Sequence, residues 1–155
     1  MNQADRYALL LDAVEDLIEE NQRIPVLVEG VRDVRALRAI GLTGEILTVN
    51  TGGPLLELCE RLGRRHRAVL LLTDWDRRGG QLAQRLREGF AAIGVDARET
   101  PRAKLAFLSQ KEVKDVESLD AYVQRAREAV GNRPPEKASK RWYTQRQTRR
   151  GRSGD

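Results

Sequence analysis

The sequence predicts an α/β protein with a sheet of about four mainly parallel strands and helices on both faces. Three observations support this prediction. The chain contains short, continuous apolar runs, which are typical of strands that are covered on both sides. Between these runs, apolar residues recur with helical spacing. The links are short, as in sheets that are built from strand–helix–strand units.

The chain begins with a predicted amphipathic helix over residues 5–20. Its apolar residues recur every three or four positions, and its acidic residues lie on the opposite face. We expect residues 1–21 to form a helix that packs on the rest of the domain. The apolar positions are Leu9, Leu10, Ala13, Val14, Leu17 and Ile18.

Four apolar runs are predicted as strands, and helical stretches follow the first three. The strands are residues 24–28, 45–49, 68–72 and 95–98, and the helices are residues 31–40, 54–62 and 82–93. Pro54 suits the first turn of the second of these helices. Cys59 takes an inward position in that helix, so we interpret it as a core residue.

Residues 99–117 show no clear periodicity. A last helix is predicted from Ser118 onward, with Leu119, Tyr122, Val123, Ala126 and Val130 facing inward. Gly131 and the pair Pro134-Pro135 then end the folded part. We therefore expect one domain over residues 22–130, followed by a tail over residues 131–155.

The tail holds the positive charge of the protein. Residues 131–155 contain eight basic and two acidic residues, a net charge of +6. Since the whole chain carries +5, residues 1–130 sum to −1. Basic tails of this kind often bind nucleic acid, although solvated disorder is the alternative.

Composition excludes several classes of protein. At 155 residues and 40% hydrophobic, the chain suits one globular domain. No apolar run approaches the roughly 20 residues that cross a bilayer, and the first residues lack the pattern of a signal peptide. Cys59 is the only cysteine, which excludes an intramolecular disulfide and a cysteine-based zinc site. We expect a cytoplasmic protein.

Three acidic residues come just after predicted strands. Glu29 follows the run 24–28, and Asp74 and Asp76 follow the run 68–72 after one residue. Because parallel strands end at one edge of a sheet, where such folds bind ligands, all three should lie there. Carboxylates in one crevice repel each other, and Mg²⁺ relieves that conflict. The alternative is that these residues only cap helices.

Three motifs, Val28-Glu29-Gly30, Asn50-Thr51-Gly52 and the run from Thr73 to Gly79, resemble the Toprim domain. The resemblance covers roughly residues 22–130. Toprim domains occur in type IA and II topoisomerases, bacterial-type primases, recombination-repair proteins, OLD-type nucleases and the ribonuclease that matures 5S rRNA. The resemblance implies a Rossmann-like Toprim fold, and the small size is similar to that of stand-alone archaeal Toprim proteins.

The resemblance also implies residue roles. Glu29 matches an acid that serves as general acid/base or as metal ligand, and Asp74 and Asp76 match a metal-binding pair. All three are thus candidate catalytic residues and ligands for one or two Mg²⁺ ions, with Mn²⁺ as a substitute. Gly30 and Gly79 match glycines that let the backbone approach a phosphate.

Several other residues have two interpretations each. Gly52 and Gly53 precede a helix and form either a phosphate cradle or a plain turn. Asp33 resembles a further acid of the rRNA-processing branch, or else caps its helix. Trp75 either stacks a base or packs over a helix. Asp115 and Glu117 are either extra metal ligands or surface acids. Trp142 and Tyr143 anchor the tail either by stacking on RNA or by burial on the domain.

The sequence also departs from the larger relatives. Type IA topoisomerases have a third acid shortly after the D-x-D motif, whereas Arg77, Arg78 and two glycines follow it here. A strand-passage domain does not fit in this length, and a cysteine-rich primase zinc module is missing. The sequence therefore predicts neither a topoisomerase nor a complete primase.

We expect Mg²⁺-dependent hydrolysis of a phosphodiester in nucleic acid. Structured RNA is favoured over DNA, because the motifs are closest to the rRNA-processing branch. Two alternatives are a binding or regulatory module without catalysis, and primase-like nucleotidyl transfer within a larger assembly. A ribonucleoprotein or a replication protein is the expected kind of protein partner. The expected phosphate contacts are Arg77, Arg78, Lys140, Arg141, Arg146, Arg149 and Arg150.

Overall fold

The computed structural model describes residues 1–50, 52–109 and 112–131. The chain forms one helix, four strand–helix units and a last helix. In order these are α1 (Gln3–Asn21), β1 (Val26–Val28), α2 (Val31–Ile40), β2 (Ile46–Thr48), α3 (Leu55–Gly63), β3 (Ala68–Leu71), α4 (Arg77–Ala91), β4 (Asp96–Arg98), α5 (Thr100–Ser109) and α6 (Leu119–Gly131).

The four strands form one sheet in the order β2-β1-β3-β4, and every pair is parallel. This confirms the predicted α/β class and the strand number. In the register, Leu27 of β1 lies beside Leu47 of β2 and Leu71 of β3. After β1 the chain forms β2 on one side of β1, and it later forms β3 on the other side of β1. Such a reversal opens a crevice between the carboxyl ends of β1 and β3, where ligands bind in sheets of this type.

Helices cover both faces of the sheet, as predicted. Residues of β1 and β3 alternate between two hydrophobic clusters because successive side chains of a strand point to opposite faces. Val28 and Leu70 face α1, α2, α5 and α6, whereas Leu27 and Leu71 face α3 and α4. Cys59 is fully buried in the second cluster, which confirms its interpretation as a core residue.

The N-terminal helix belongs to the larger of these two helical layers. Leu10, Val14 and Leu17 of α1 are buried against α5 and α6. Asn2 caps the helix, since its side chain accepts a hydrogen bond from the N–H of Asp5 at 2.8 Å. The cap explains why α1 begins two residues before the predicted helix.

The structure also differs from the prediction in residues 99–117, where no helix was predicted. Residues 99–117, which showed no periodicity, contain α5. Its apolar residues do not keep to one face, since Leu105 and Leu108 are buried but Phe107 is exposed. In α6, four of the five predicted inward positions, from Leu119 to Ala126, are buried, whereas Val130 is half-buried. None of the helices in the described residues is long and apolar enough to cross a bilayer.

Candidate functional site

Glu29 and Asp74 contact each other in the crevice between β1 and β3. The backbone N–H of Asp74 donates to Oε2 of Glu29 at 2.8 Å, although 45 residues separate the two in sequence. Both residues are half-buried. The structure thus brings together two of the three acids that the sequence predicted at this edge.

The carboxylate of Asp74 is also held by the connection between α5 and α6. Its Oδ1 accepts a hydrogen bond from the N–H of Val116 at 2.9 Å. The neighbouring Trp75 binds the same connection, since its indole N–H donates to the carbonyl of Val113 at 2.6 Å and its backbone N–H donates to that of Lys114. Trp75 is half-buried against the larger core cluster. Of its two predicted roles, the structure supports packing.

Asp76 has a different environment from Asp74. It is exposed, and it caps α4 by accepting a hydrogen bond from the N–H of Gly79 at Oδ1, at 2.7 Å. Within residues 1–50, 52–109 and 112–131, no three His, Cys, Asp or Glu side chains are arranged as a preformed metal cluster. The alternative of helix capping therefore describes Asp76, but not Glu29 or Asp74.

The first turn of α4 packs tightly against the backbone of Asp74. A Cβ atom on Gly79 would lie 1.7 Å from the carbonyl oxygen of Asp74, so only glycine fits there. The hydroxyl of the buried Thr73 donates to the carbonyl of Gly79 at 2.7 Å. Arg77 and Arg78 are exposed on the same turn. Gly79 therefore fixes where the helix starts relative to the carboxylates.

The other predicted glycines lie in looser surroundings. A Cβ on Gly30 would meet no atom within 4 Å, so the space over the start of α2 is open. The N–H of Gly30 donates to Oδ2 of Asp33 at 3.0 Å. Gly52 has a φ of +80°, which only glycine adopts readily, and it forms a turn with Gly53.

Acidic groups dominate the electrostatics of the crevice. Burial raises the pKa of Glu29 to about 7; the negative charges of Asp74 and Asp33 add to this, and the N–H of Asp74 opposes it. Burial also raises the pKa of Asp33, and Asp74, Glu117 and Asp115 raise it further, against the N–H of Gly30. Neighbouring negative charges thus disfavour the ionised forms of both Glu29 and Asp33.

Arg102 was not among the residues predicted from the sequence. It lies in α5, within the segment that showed no periodicity. Its guanidinium donates from Nε to the carbonyl of Thr73 at 3.0 Å and from Nη2 to that of Asp74 at 2.8 Å. The only available signal was a basic residue near the start of a helix, and such residues are common.

The remaining predicted residues lie outside the described part of the chain. They are Thr51 of the second motif, the basic residues Lys140, Arg141, Arg146, Arg149 and Arg150, and the pair Trp142 and Tyr143. Their predicted roles stay predictions.

Comparison with known proteins gives close relatives in archaea. A UPF0292 protein of Methanosarcina acetivorans is 35% identical over 136 residues, which cover 84% of this chain and 94% of the relative. A UPF0292 protein of Methanosarcina barkeri is 37% identical with the same coverage. That of Methanocaldococcus jannaschii is 32% identical over 123 residues, 79% of this chain and 96% of the relative. No family model matches.

A solved structure of a protein from Aquifex aeolicus shares the fold. Its TM-score is 0.59 at 22% identity, with 69% of this chain and 94% of that chain covered. The similarity supports the Rossmann-like arrangement of the sheet and helices.

We expect Gly79→Ala to destabilise the domain by about 3 kcal/mol, because its new methyl group must displace the backbone of Asp74. Gly80→Ala is the matched control. There the nearest atom to a new Cβ is Nη2 of Arg102 at 3.7 Å, so stability should stay unchanged or rise by up to about 1 kcal/mol. Denaturant melts of both variants measure the difference, and equal stabilities would contradict the tight packing.

We expect Glu29→Gln to be more stable than the natural protein at pH 8 when divalent cations are absent. The folded state raises the pKa of Glu29 from 4.5 to about 7, so the folded protein binds more protons than the unfolded chain between these values. Stability therefore falls as pH rises through that window. The gain should be about 1 kcal/mol after allowance for solvent screening, and it should vanish below about pH 4.5.

Thermal melts in a chelator at pH 4 and pH 8 test this prediction. Glu60→Gln, which removes an exposed carboxylate from α3, should show no comparable gain. A Glu29→Gln variant that melts below the natural protein at pH 8 would show that the Glu29 carboxylate is not under strain.

Proposed function

The chain belongs to the UPF0292 family, and we propose that it is a Toprim-type, Mg²⁺-dependent phosphodiesterase that acts on structured RNA. The observation that carries this proposal is the contact between Asp74 and Glu29 at 2.8 Å, at the carboxyl ends of two adjacent parallel strands. The three motifs that resemble Toprim domains supply the class of chemistry.

The residues of the crevice fit a hard divalent cation. Glu29 and Asp74 place two carboxyl groups at one crevice, where the N–H of Asp74 binds the carboxylate of Glu29, and Asp33 adds negative charge beside them. Mg²⁺ usually takes one or two protein carboxylates and keeps several waters for substrate phosphate to replace. Asp76 would join this set by turning its side chain from the cap of α4, or by using the oxygen other than the Oδ1 that forms the cap.

The chemistry would be hydrolysis of a phosphodiester. A bound Mg²⁺ supplies charge stabilisation for the phosphoryl and leaving oxygens. Asp74 and Asp76 would hold the ion, and Glu29 would take a proton from the attacking water or return one to the leaving oxygen. The metal-free domain raises the pKa of Glu29 to about 7, so this carboxyl can hold a proton near neutral pH. Mn²⁺ would replace Mg²⁺ with the same oxygen ligands.

The charge distribution supports a nucleic-acid substrate. Arg77 and Arg78 are exposed at the first turn of α4, directly after the D-x-D motif. They would contact phosphates on one side of the reacting group. The tail, with a net charge of +6, would supply affinity that does not depend on sequence. The choice of RNA rests on the motif resemblance to the rRNA-processing branch.

One observation favours a second function, a nucleic-acid-binding module without catalysis. The carboxylate of Asp76 already caps α4, so the D-x-D pair is not preassembled around an ion. Mixing the protein with labelled structured RNAs and Mg²⁺ separates the two functions. Cleavage that a chelator abolishes supports the phosphodiesterase, whereas binding without cleavage supports the module.

We expect Asp74→Asn and Asp76→Asn each to weaken Mg²⁺ affinity by at least about tenfold, a change that even outer-sphere partners of a metal can cause. Asparagine keeps the hydrogen bond from Val116 at position 74, and it caps helices as well as aspartate does at position 76. Loss of affinity would thus reflect the lost charge. Calorimetric Mg²⁺ titration measures the affinity, and thermal melts check the fold.

Asp96→Asn is the control for these variants. Asp96 is an exposed acid at the amino end of β4, the opposite edge of the sheet from the crevice. It should bind Mg²⁺ as the natural protein does. If the double variant at positions 74 and 76 also keeps full affinity, the metal centre is wrong.

We expect the tail to carry most of the affinity for RNA, because residues 1–130 sum to −1. If about five basic residues contact phosphates, log affinity should fall against log salt with a slope of roughly −3 to −5. Removal of residues 132–155 should flatten that slope and leave Mg²⁺ affinity intact. RNA binding at several salt concentrations measures both slopes, and equal slopes would assign the binding surface to the folded domain.

A further inference from the structure

Arg102 joins α5 to the loop that carries the two aspartates. Its guanidinium donates to two consecutive backbone carbonyls, those of Thr73 at 3.0 Å and of Asp74 at 2.8 Å. β3 ends at Leu71 and α4 begins at Arg77, so these carbonyls belong to neither element. Buried carbonyls without a partner are costly, and the planar fork of an arginine satisfies both at once.

With the contact to Arg102, hydrogen bonds hold the N–H, the side chain and the carbonyl of Asp74. Its N–H is bound to Glu29, its Oδ1 accepts from the N–H of Val116, and its carbonyl accepts from Arg102. The same carbonyl packs against Gly79. With the backbone held on both sides of the Cα atom, the direction of the carboxylate is set before any ligand binds.

Resting on the proposed function, we infer that Arg102 is a positioning residue for the metal centre. It acts through Asp74 by holding the backbone of the D-x-D loop against α5, and it does not need to touch the ion or the substrate. Partners of this kind orient metal ligands, and their loss typically lowers metal affinity.

The geometry calls for arginine and not for any cation. A lysine ammonium is a single point of charge, whereas the two carbonyls are contacted by two different nitrogens of one planar group. Arg102→Lys should therefore keep the charge and the aliphatic stem but lose the paired contact. Arg102→Gln should lose both.

The experiment is a calorimetric Mg²⁺ titration of Arg102→Gln and Arg102→Lys, with a thermal melt of each variant in a chelator. We expect the glutamine variant to bind Mg²⁺ on the order of tenfold more weakly, and the lysine variant to lie between it and the natural protein. Lys104→Gln is the matched control. It removes a cation from the same helix at a position about 200° around the axis, and it should leave Mg²⁺ affinity unchanged.

Asp74→Asn is the reference that separates this inference from the proposed function. If Asp74→Asn keeps full Mg²⁺ affinity, the metal centre itself is wrong. If Asp74→Asn loses affinity while folded Arg102→Gln binds Mg²⁺ as the natural protein does, only the role of Arg102 is wrong, even if that variant melts earlier. If Arg102→Gln does not fold, Arg102→Lys decides, and full affinity in Arg102→Lys overturns the inference.

Discussion

The hydrogen bond from the N–H of Asp74 to the carboxylate of Glu29 is the contact on which the site depends. It exists because β1 and β3 are neighbours in the sheet although α2, β2 and α3 separate them in sequence. A strand order without the β1–β3 pair would place these acids apart. The parallel pairing thus converts two distant acidic residues into one carboxylate pair, and the helices that follow each strand leave the pair at an open edge.

Two acids of this crevice are disfavoured in their ionised forms by the folded domain. Burial and mutual repulsion raise the pKa of Glu29 and Asp33. Titratable groups with shifted pKa values concentrate at functional sites, so this cluster is a candidate site. The hydrogen bonds that Glu29 and Asp33 accept offset part of the repulsion. A cation would offset more of it.

The sheet and the carboxylate pair were predictable from the sequence, because they follow from local signals. Continuous apolar runs marked the strands, and Glu29 and Asp74 each come just after one. The partners of Asp74 were not predictable, since Val116 contributes only a backbone N–H and Arg102 lies in a helix with no clear apolar face. The different environments of Asp74 and Asp76 were not predicted either. Their spacing places both in one turn, and only the structure shows that Asp76 caps α4.

The attachment of Asp74 and Asp76 to different helices has a mechanical consequence. Asp74 and Trp75 are fastened to the layer of α1, α2, α5 and α6, through Arg102 and the α5–α6 connection. Asp76 is fastened to α4, which belongs to the layer on the other face. The D-x-D loop therefore bridges two layers that are joined by a sheet of three- and four-residue strands. The separation of the two aspartates therefore depends on where α4 sits against the opposite layer, and the close packing of Gly79 on the carbonyl of Asp74 keeps α4 in that place.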